Sequence, residues 1–269
     1  MSFSISGKAA IVTGSANGVG LAIARHFAAQ GAKVMFADID EEKLEAEVGA
    51  EARAEGAVRY FAGDLRQKLT IANLLSATVD AFDRIDIVVN ASRQILLSAP
   101  LNAYEDGVEL LLEQNLLTSL RLSQMAAKRM IAEAERLGQT EGPVGSIVNL
   151  SSIAARATQP ELLAYSISCA ALEQMTRSLA VALAPKRIRV NAVAFGSLMS
   201  ASLMSALKEH ADYRGSIVAG TPLGRIASPA ELADAVQFLA SGGSEFITGQ
   251  ILTVDGGRGL LDPVRVPAH

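Results

Sequence analysis

Hydrophobic residues along the chain fall in short runs separated by longer stretches of helical period. The runs are Ala9–Val12, Lys33–Ala37, Val58–Ala62, Ile85–Asn90, Ser146–Leu150, Arg189–Val193 and Gln250–Val254. Each has strand length and is mostly apolar without strict alternation, the pattern of strands covered by helices on both sides. Between them, segments such as Val19–Gln30 and Glu41–Glu55 carry apolar positions every three to four residues, and each stops at a glycine, Gly31 and Gly56, where a helix end wants a left-handed residue. Strand and helix in alternation predict a single α/β domain, a doubly wound seven-stranded parallel sheet with helices on both faces. In such a sheet ligands sit beyond the carboxyl ends of the strands.

Composition narrows this further. The 269 residues are 50% hydrophobic and 19% charged, which excludes disorder and predicts one domain over residues 1–269 that buries about three quarters of its unfolded surface. Aromatics are only 4% and tryptophan is absent, so the core is built from Ala, Val, Ile and Leu. No apolar stretch approaches the roughly 18 residues of a membrane helix, and Gly7-Lys8 leads into the first strand rather than a signal sequence. The expectation is a cytoplasmic protein with no membrane partner. Cys169 is the single cysteine, and His26, His210 and His269 are scattered, so neither an internal disulfide nor a metal site is expected. A formal net charge of −4 offers no field for a phosphate backbone, and nucleic acid is not an expected partner.

Candidate chemistry begins directly after the first strand, at Thr13-Gly14-Ser15-Ala16-Asn17-Gly18-Val19-Gly20. Glycines at this position admit a tight turn and let backbone N–H groups approach a pyrophosphate at a helix N-terminus. The second strand ends at Asp38, 18 residues after Gly20, where an acid accepts from a ribose 2′-OH in a Rossmann-type dinucleotide site. Gly14, Asn17, Gly18, Val19, Gly20 and Asp38 are therefore candidate cofactor residues. A carboxylate repels a 2′-phosphate, and neither the turn nor Ile39 supplies a cation for one, so NAD(H) is favoured over NADP(H). The plainer reading is a turn that wants glycine before any helix, with Asp38 as one more acid beside Asp40, Glu41 and Glu42 at a helix start.

The ordered set of motifs resembles the short-chain dehydrogenase/reductase family along nearly the whole chain, most of all members of the 3-oxoacyl-carrier-protein reductase type and related sugar, polyol and steroid dehydrogenases. Besides the glycine turn it includes Asp64-Leu65 after the third strand, Asn90-Ala91 after the fourth, and Asn115 in a long helix. Ser151-Ser152, Tyr165, Arg189-Val190-Asn191-Ala192, Gly196, Ile247-Thr248-Gly249-Gln250 and Asp255-Gly256-Gly257 follow in order. The resemblance implies hydride transfer between a nicotinamide and a carbonyl or secondary alcohol. It implies Tyr165 as the proton-exchanging residue, Ser152 as donor to the substrate oxygen and Asn115 as support for a relay water. It adds Asp64, Leu65, Asn90, Ala91, Tyr165 and Gly196 to the cofactor residues, and a homodimer or homotetramer as the assembly.

The chain departs from the family at one locus. The Tyr-x-x-x-Lys of the family reads Tyr165-Ser166-Ile167-Ser168-Cys169, its Asn-Asn-Ala-Gly reads Val89-Asn90-Ala91-Ser92, and its Pro-Gly reads Phe195-Gly196. A cation one turn from a phenol favours tyrosinate; if it is worth roughly two pKa units, its loss costs on the order of 3 kcal/mol, about a hundredfold in rate. Arg93, just after the altered Ser92, is the nearest cation by family position, although arginine is a poor proton partner and also suits an anionic substrate. Cys169 reads either as a reactive thiol or as a small buried filler.

Two functions follow. One is an NAD(H)-dependent oxidoreductase using Tyr165, Ser152 and Asn115; the other is a catalytically impaired nucleotide binder, a sensor or non-catalytic subunit, because of Cys169. Residues 196–220 are expected to form a lid over the site. Its Leu198, Met199, Leu203, Met204 and Leu207 fit a hydrophobic substrate or, equally, a helix face packed on the body of the protein. The helix from Tyr165 to Ala184 is apolar on more than one face, as a subunit contact requires. The tail 258–269 reads as an arm on a neighbouring subunit or a frayed end.

Overall fold

The structure is a computed structural model that describes residues 3–53, 56–210 and 212–262. Its strands are β1 (Ala9–Thr13), β2 (Lys33–Asp38), β3 (Val58–Ala62), β4 (Ile87–Asn90), β5 (Gly145–Ser152), β6 (Ile188–Phe195) and β7 (Ile251–Val254). They form one parallel sheet in the order β3-β2-β1-β4-β5-β6-β7. The order reverses direction at β1, so the crevice between the loops after β1 and β4 is the switch point where such sheets bind ligands. The helices are α1 (Gly18–Ala29), α2 (Glu41–Arg53), α3 (Lys68–Phe82), α4 (Val108–Leu111), α5 (Thr118–Arg136) and α6 (Leu163–Leu183). They continue with α7 (Ala201–Glu209), α8 (Tyr213–Ala219) and α9 (Pro229–Ala240).

Alternation of side chains along each strand divides the core into two layers. Ala10 and Val12 of β1 face one side, where Ile23 and Phe27 of α1, Leu44 of α2 and Leu232 and Val236 of α9 cover the sheet. Ala9 and Ile11 face the other, against Ile71 and Leu74 of α3, Leu122 and Met130 of α5 and Ala180 of α6. Small strand residues let the helices sit close, which is why a core with so few aromatics still closes. Phe27 is fully buried, and its truncation to alanine is expected to cost about 3–5 kcal/mol.

The arginine-bearing motif on β6 belongs to this framework. Arg189 donates to the Leu239 carbonyl at 2.9 Å and the Ser241 carbonyl at 3.1 Å, a cation on the carboxyl end of α9 where the helix dipole favours one. Asn191 donates to the Ile247 carbonyl at 2.9 Å and accepts from the Gln250 N–H at 3.0 Å. The Ile247-Thr248-Gly249-Gln250 segment is thereby clamped to β6.

Strand boundaries differ from the expected ones for physical reasons. β4 starts at Ile87 rather than Ile85, because Asp86 turns its carboxylate to the Ala9 N–H and to Lys8 and Arg84. β5 and β6 run further, paired in register out to Ser152 opposite Phe195. That extension sets Ser152 and Phe195 side by side at the rim. The expected second helix reached Glu55, but residues 54 and 55 lie outside the described residues, as do 263–269 of the tail. No described helix is long and apolar enough to cross a membrane.

Candidate active site

At the first rim position, backbone geometry demands glycine twice. Gly14 has φ +66°, and a Cβ there would stand 2.7 Å from the Ser92 Cα; at Gly20 it would stand 2.1 Å from the Gly14 carbonyl oxygen. The turn therefore presses β1, α1 and the loop after β4 together. Asn17 precedes α1 in extended conformation, with no side-chain cap and no acid in the first turn. The N–H groups of that helix end are left for an external acceptor.

Asp38 closes the same hollow. One carboxylate oxygen accepts from the Ala16 N–H at 3.0 Å, and the other from the N–H groups of Ile39 at 2.7 Å and Asp40 at 3.2 Å. Gly14, Asp38, Asp64, Leu65, Arg66 and Ser92 share the lining. Arg66 grips both oxygens of Asp64, at 2.9 and 2.7 Å, and its guanidinium holds the Asp64 carboxyl below the usual range. Open helix donors, a glycine turn and two carboxylates fit the adenosine half of a dinucleotide. The paired Arg66 had no signal in the motif pattern.

The second half of the rim gathers around Tyr165. The side chain is buried, 3% exposed, near the start of α6, and Cys169 lies one turn along at 4%. Burial pushes the phenol up to about 12, the Arg93 guanidinium and the Ser152 hydroxyl pull it down, and Cys169 pushes it up. Burial also raises the Cys169 thiol, which keeps it neutral and packed with Leu111, Ala154 and Ala164. That burial and packing fit the filler reading of the cysteine.

Arg93 is the unexpected member of the group. Its Nη1 donates to the Tyr165 phenolic oxygen, and its guanidinium carbon lies 4.2 Å from the centroid of the Phe195 ring and 5.9 Å from that of Tyr165. Family position pointed to this residue, but chain spacing holds no information on where its long side chain goes. Asn115 lies in a π-helical turn, Leu112–Leu117, between α4 and α5, a feature common at functional sites. Its amide pairs with Gln94 twice, accepting from the N–H at 2.8 Å and donating to the carbonyl at 3.0 Å, and it donates to Ser168 at 3.0 Å. The side chain thus braces the loop that carries Arg93.

The remaining candidates also lie at the rim. Asn90 donates to Ser123 at 3.0 Å and to Asn149 at 2.7 Å, a buried polar chain under the sheet. The N–H groups of Ala91 and Ser92 both donate to the Thr13 hydroxyl at 3.0 Å, tying the loop after β4 to the glycine turn. Gly196 leaves room for Asp255, whose Cβ would be 3.1 Å from an added Cβ. In the expected lid, Leu198 is buried in the core and bridges to Ala227, so it packs on the body of the protein. Met199, Leu203 and Leu207 are half-buried and Met204 is exposed. A neighbouring cleft, lined by Ile153, Arg156, Leu223, Val254 and Leu260, includes neither Tyr165 nor Arg93.

Comparison with known proteins bears on the family and the fold. A family model described as enoyl-(acyl carrier protein) reductase matches residues 14–258. The 3-oxoacyl-acyl-carrier-protein reductase of Thermotoga maritima is 32% identical over 256 residues, covering 94% of this chain and 98% of that protein. Among solved structures, a 7 alpha-hydroxysteroid dehydrogenase complexed with NADH and 7-oxo glycochenodeoxycholic acid superposes with a TM-score of 0.85 at 28% identity, covering 95% of this chain and 96% of that one. A gluconate 5-dehydrogenase from Burkholderia cenocepacia in complex with NADP and tartrate gives 0.85 at 30% identity, covering 97% and 98%.

Proposed function

The chain belongs to the short-chain dehydrogenase/reductase family, and from that membership we propose that it is an NAD(H)-dependent oxidoreductase acting on the carbonyl or secondary alcohol of a small molecule. The nicotinamide supplies or accepts the hydride. The observation that carries the proposal is the buried Tyr165 phenol, accepting from Arg93 and acted on by the Ser152 hydroxyl, at the same rim as the glycine turn and Asp38.

In this reading the Ser152 hydroxyl donates to the substrate oxygen and fixes it beside the phenol. Tyr165 gives its proton to that oxygen in reduction and takes it back in oxidation. Gly14, Asn17, Gly18, Val19 and Gly20 hold the pyrophosphate, Asp38 the adenosine ribose, Asp64 and Leu65 the adenine. Asn90, Ala91 and Gly196 shape the nicotinamide end. Asp38 is the reason to favour NAD(H) over NADP(H), because Arg66, the cation that lines its hollow among the described residues, is paired with Asp64. Residues 196–220 act as the lid, and the half-buried Met199, Leu203 and Leu207 favour an apolar substrate. Val181 on α6 is 78% exposed, in keeping with a homodimer or homotetramer built on that helix.

A second reading is a nucleotide binder with little turnover, favoured by Cys169 in the position of the family lysine. The two separate in one experiment: NADH oxidation and NAD⁺ reduction followed by absorbance over a panel of ketones and alcohols, with Tyr165→Phe as control. The proposal expects turnover that Tyr165→Phe abolishes. Binding of NADH without turnover of any panel member supports the second reading instead.

A further inference from the structure

Two departures from the family pattern, Phe195 and Cys169, lie far apart in the chain and meet around the side chain of Arg93, the residue that follows the third, Ser92. We propose that Arg93 is the positioning cation of Tyr165, standing in for the lysine that the family carries at position 169, with Phe195 and Asn115 holding Arg93 in place. The proposal rests on the oxidoreductase reading above and adds to it a residue that the family pattern does not supply.

Charge is the first argument. Tyr165 is buried, and its phenolic oxygen accepts from Arg93 Nη1. The groups facing it are Arg93 from the loop after β4, Ser152 from the end of β5 and Cys169 from its own helix, with Glu173 acting on Cys169 one turn further. Among the described residues no carboxylate pairs with Arg93, so its charge falls on the phenol and on the Phe195 ring. A guanidinium stays protonated at every working pH. It stabilises tyrosinate as a lysine does, but passes no proton of its own.

Space and support are the second. Phe195 stands where the family has proline, and its ring face lies 4.2 Å from the guanidinium carbon, a cation–π contact that proline does not provide. Asn115 holds both backbone groups of Gln94, which fixes the peptide next to Arg93. Cys169 is small and neutral, so no second cation competes for the phenol. Phe195 and Cys169 each make sense once the other is present.

The test uses the full chain and a readout that does not need turnover. The protein is produced with isotope-labelled tyrosine, and the phenolic ring-carbon NMR resonance of Tyr165 is assigned by its loss in Tyr165→Phe. With 4 tyrosines in the chain the spectrum is sparse. In Arg93→Ala the Tyr165 resonance is expected to move while the others stay, and Arg93→Lys is expected to recover most of the change. On substrates that the wild type turns over, Arg93→Ala should lose about a hundredfold in kcat with KM changed far less, in line with a loss of roughly two pKa units of support. Adding Cys169→Lys to Arg93→Ala should restore most of it.

A Tyr165 resonance unmoved in Arg93→Ala overturns the proposal, as does kcat equal to wild type in that variant. Arg93→Gln keeps a donor without charge, and if it matches wild type in both readouts the charge has no role and the proposal fails. A wild type that turns over nothing sinks the oxidoreductase reading alone, and the resonance still judges Arg93.

Discussion

Replacing Asp38 by serine separates its two jobs. In the structure the carboxylate accepts three backbone N–H groups, from Ala16, Ile39 and Asp40, and it also presents a negative charge to the hollow beside Gly14. Hydrogen bonds to a charged group are worth about 1.5–3 kcal/mol, and serine retains part of this, so a stability loss of about 2 kcal/mol is expected. For a 2′-phosphate, one unit charge about 4 Å from the carboxylate at an effective dielectric of about 20 feels on the order of 4 kcal/mol of repulsion. Partial exposure and salt reduce this to about 1.5 kcal/mol, roughly tenfold in affinity. Wild type should therefore bind NADH at least about tenfold more tightly than NADPH, and Asp38→Ser should bring the two within a few-fold. Adding Ile39→Arg, at a position 65% exposed, should reverse the order. Calorimetric titration of both dinucleotides at low and high salt measures each ratio. Equal binding of NADPH by wild type refutes the reasoning; a proportional loss of both ligands in Asp38→Ser shows that the carboxylate serves the turn and selects nothing.

Burial pushes the Tyr165 phenol up to about 12, so its basic form is scarce at neutral pH and grows as pH rises. Alcohol oxidation, which needs that form, should climb about tenfold per pH unit between about pH 7 and 9, while carbonyl reduction, which needs the protonated phenol, stays flat; a plateau in oxidation below about pH 8 contradicts this. Gly20→Ala forces a Cβ to 2.1 Å from a backbone oxygen, whereas at Gly18 it meets nothing. The first should abolish NADH binding and cost more than about 3 kcal/mol in chemical denaturation, and the second only the roughly 1–2 kcal/mol of a left-handed residue. Arg189→Leu removes the charged donor shared by the Leu239 and Ser241 carbonyls, which keep the Ser146 and Ser244 hydroxyls, so a loss of about 2 kcal/mol in denaturation is expected with NADH affinity unchanged. A fall in affinity without a loss of stability would move Arg189 into the binding site.

Much of the fold was legible because strands covered on both faces write themselves as apolar runs. The seven runs coincide with the seven strands within a few residues, and the glycine turn lies where the strand order reverses. Boundaries were less legible where a side chain, not periodicity, decides them. Asp86 shortens β4 through its contacts with Ala9, Lys8 and Arg84, and the pairing of Ser152 with Phe195 lengthens β5 and β6. The apolar lid residues split in the same way, Leu198 going to the core while Met204 stays exposed.

At the site, motif spacing reaches residues whose backbone does the work and fails for those whose side chain travels. Tyr165, Ser152 and Cys169 sit on a strand end and one helix, so their neighbourhood follows from secondary structure alone. Arg93 sits in a loop, and its contact with the phenol depends on Phe195, 102 residues further along the chain, and on the double pairing of Asn115 with Gln94. Counted one by one, Phe195 and Cys169 are losses from a family pattern. Placed together they leave a buried phenol with a permanent cation on its oxygen, an aromatic face under that cation and a neutral thiol where a second charge would repel it. A residue missing from a motif is therefore weak evidence for lost chemistry until the space it vacated, and the side chain that entered it, have been located.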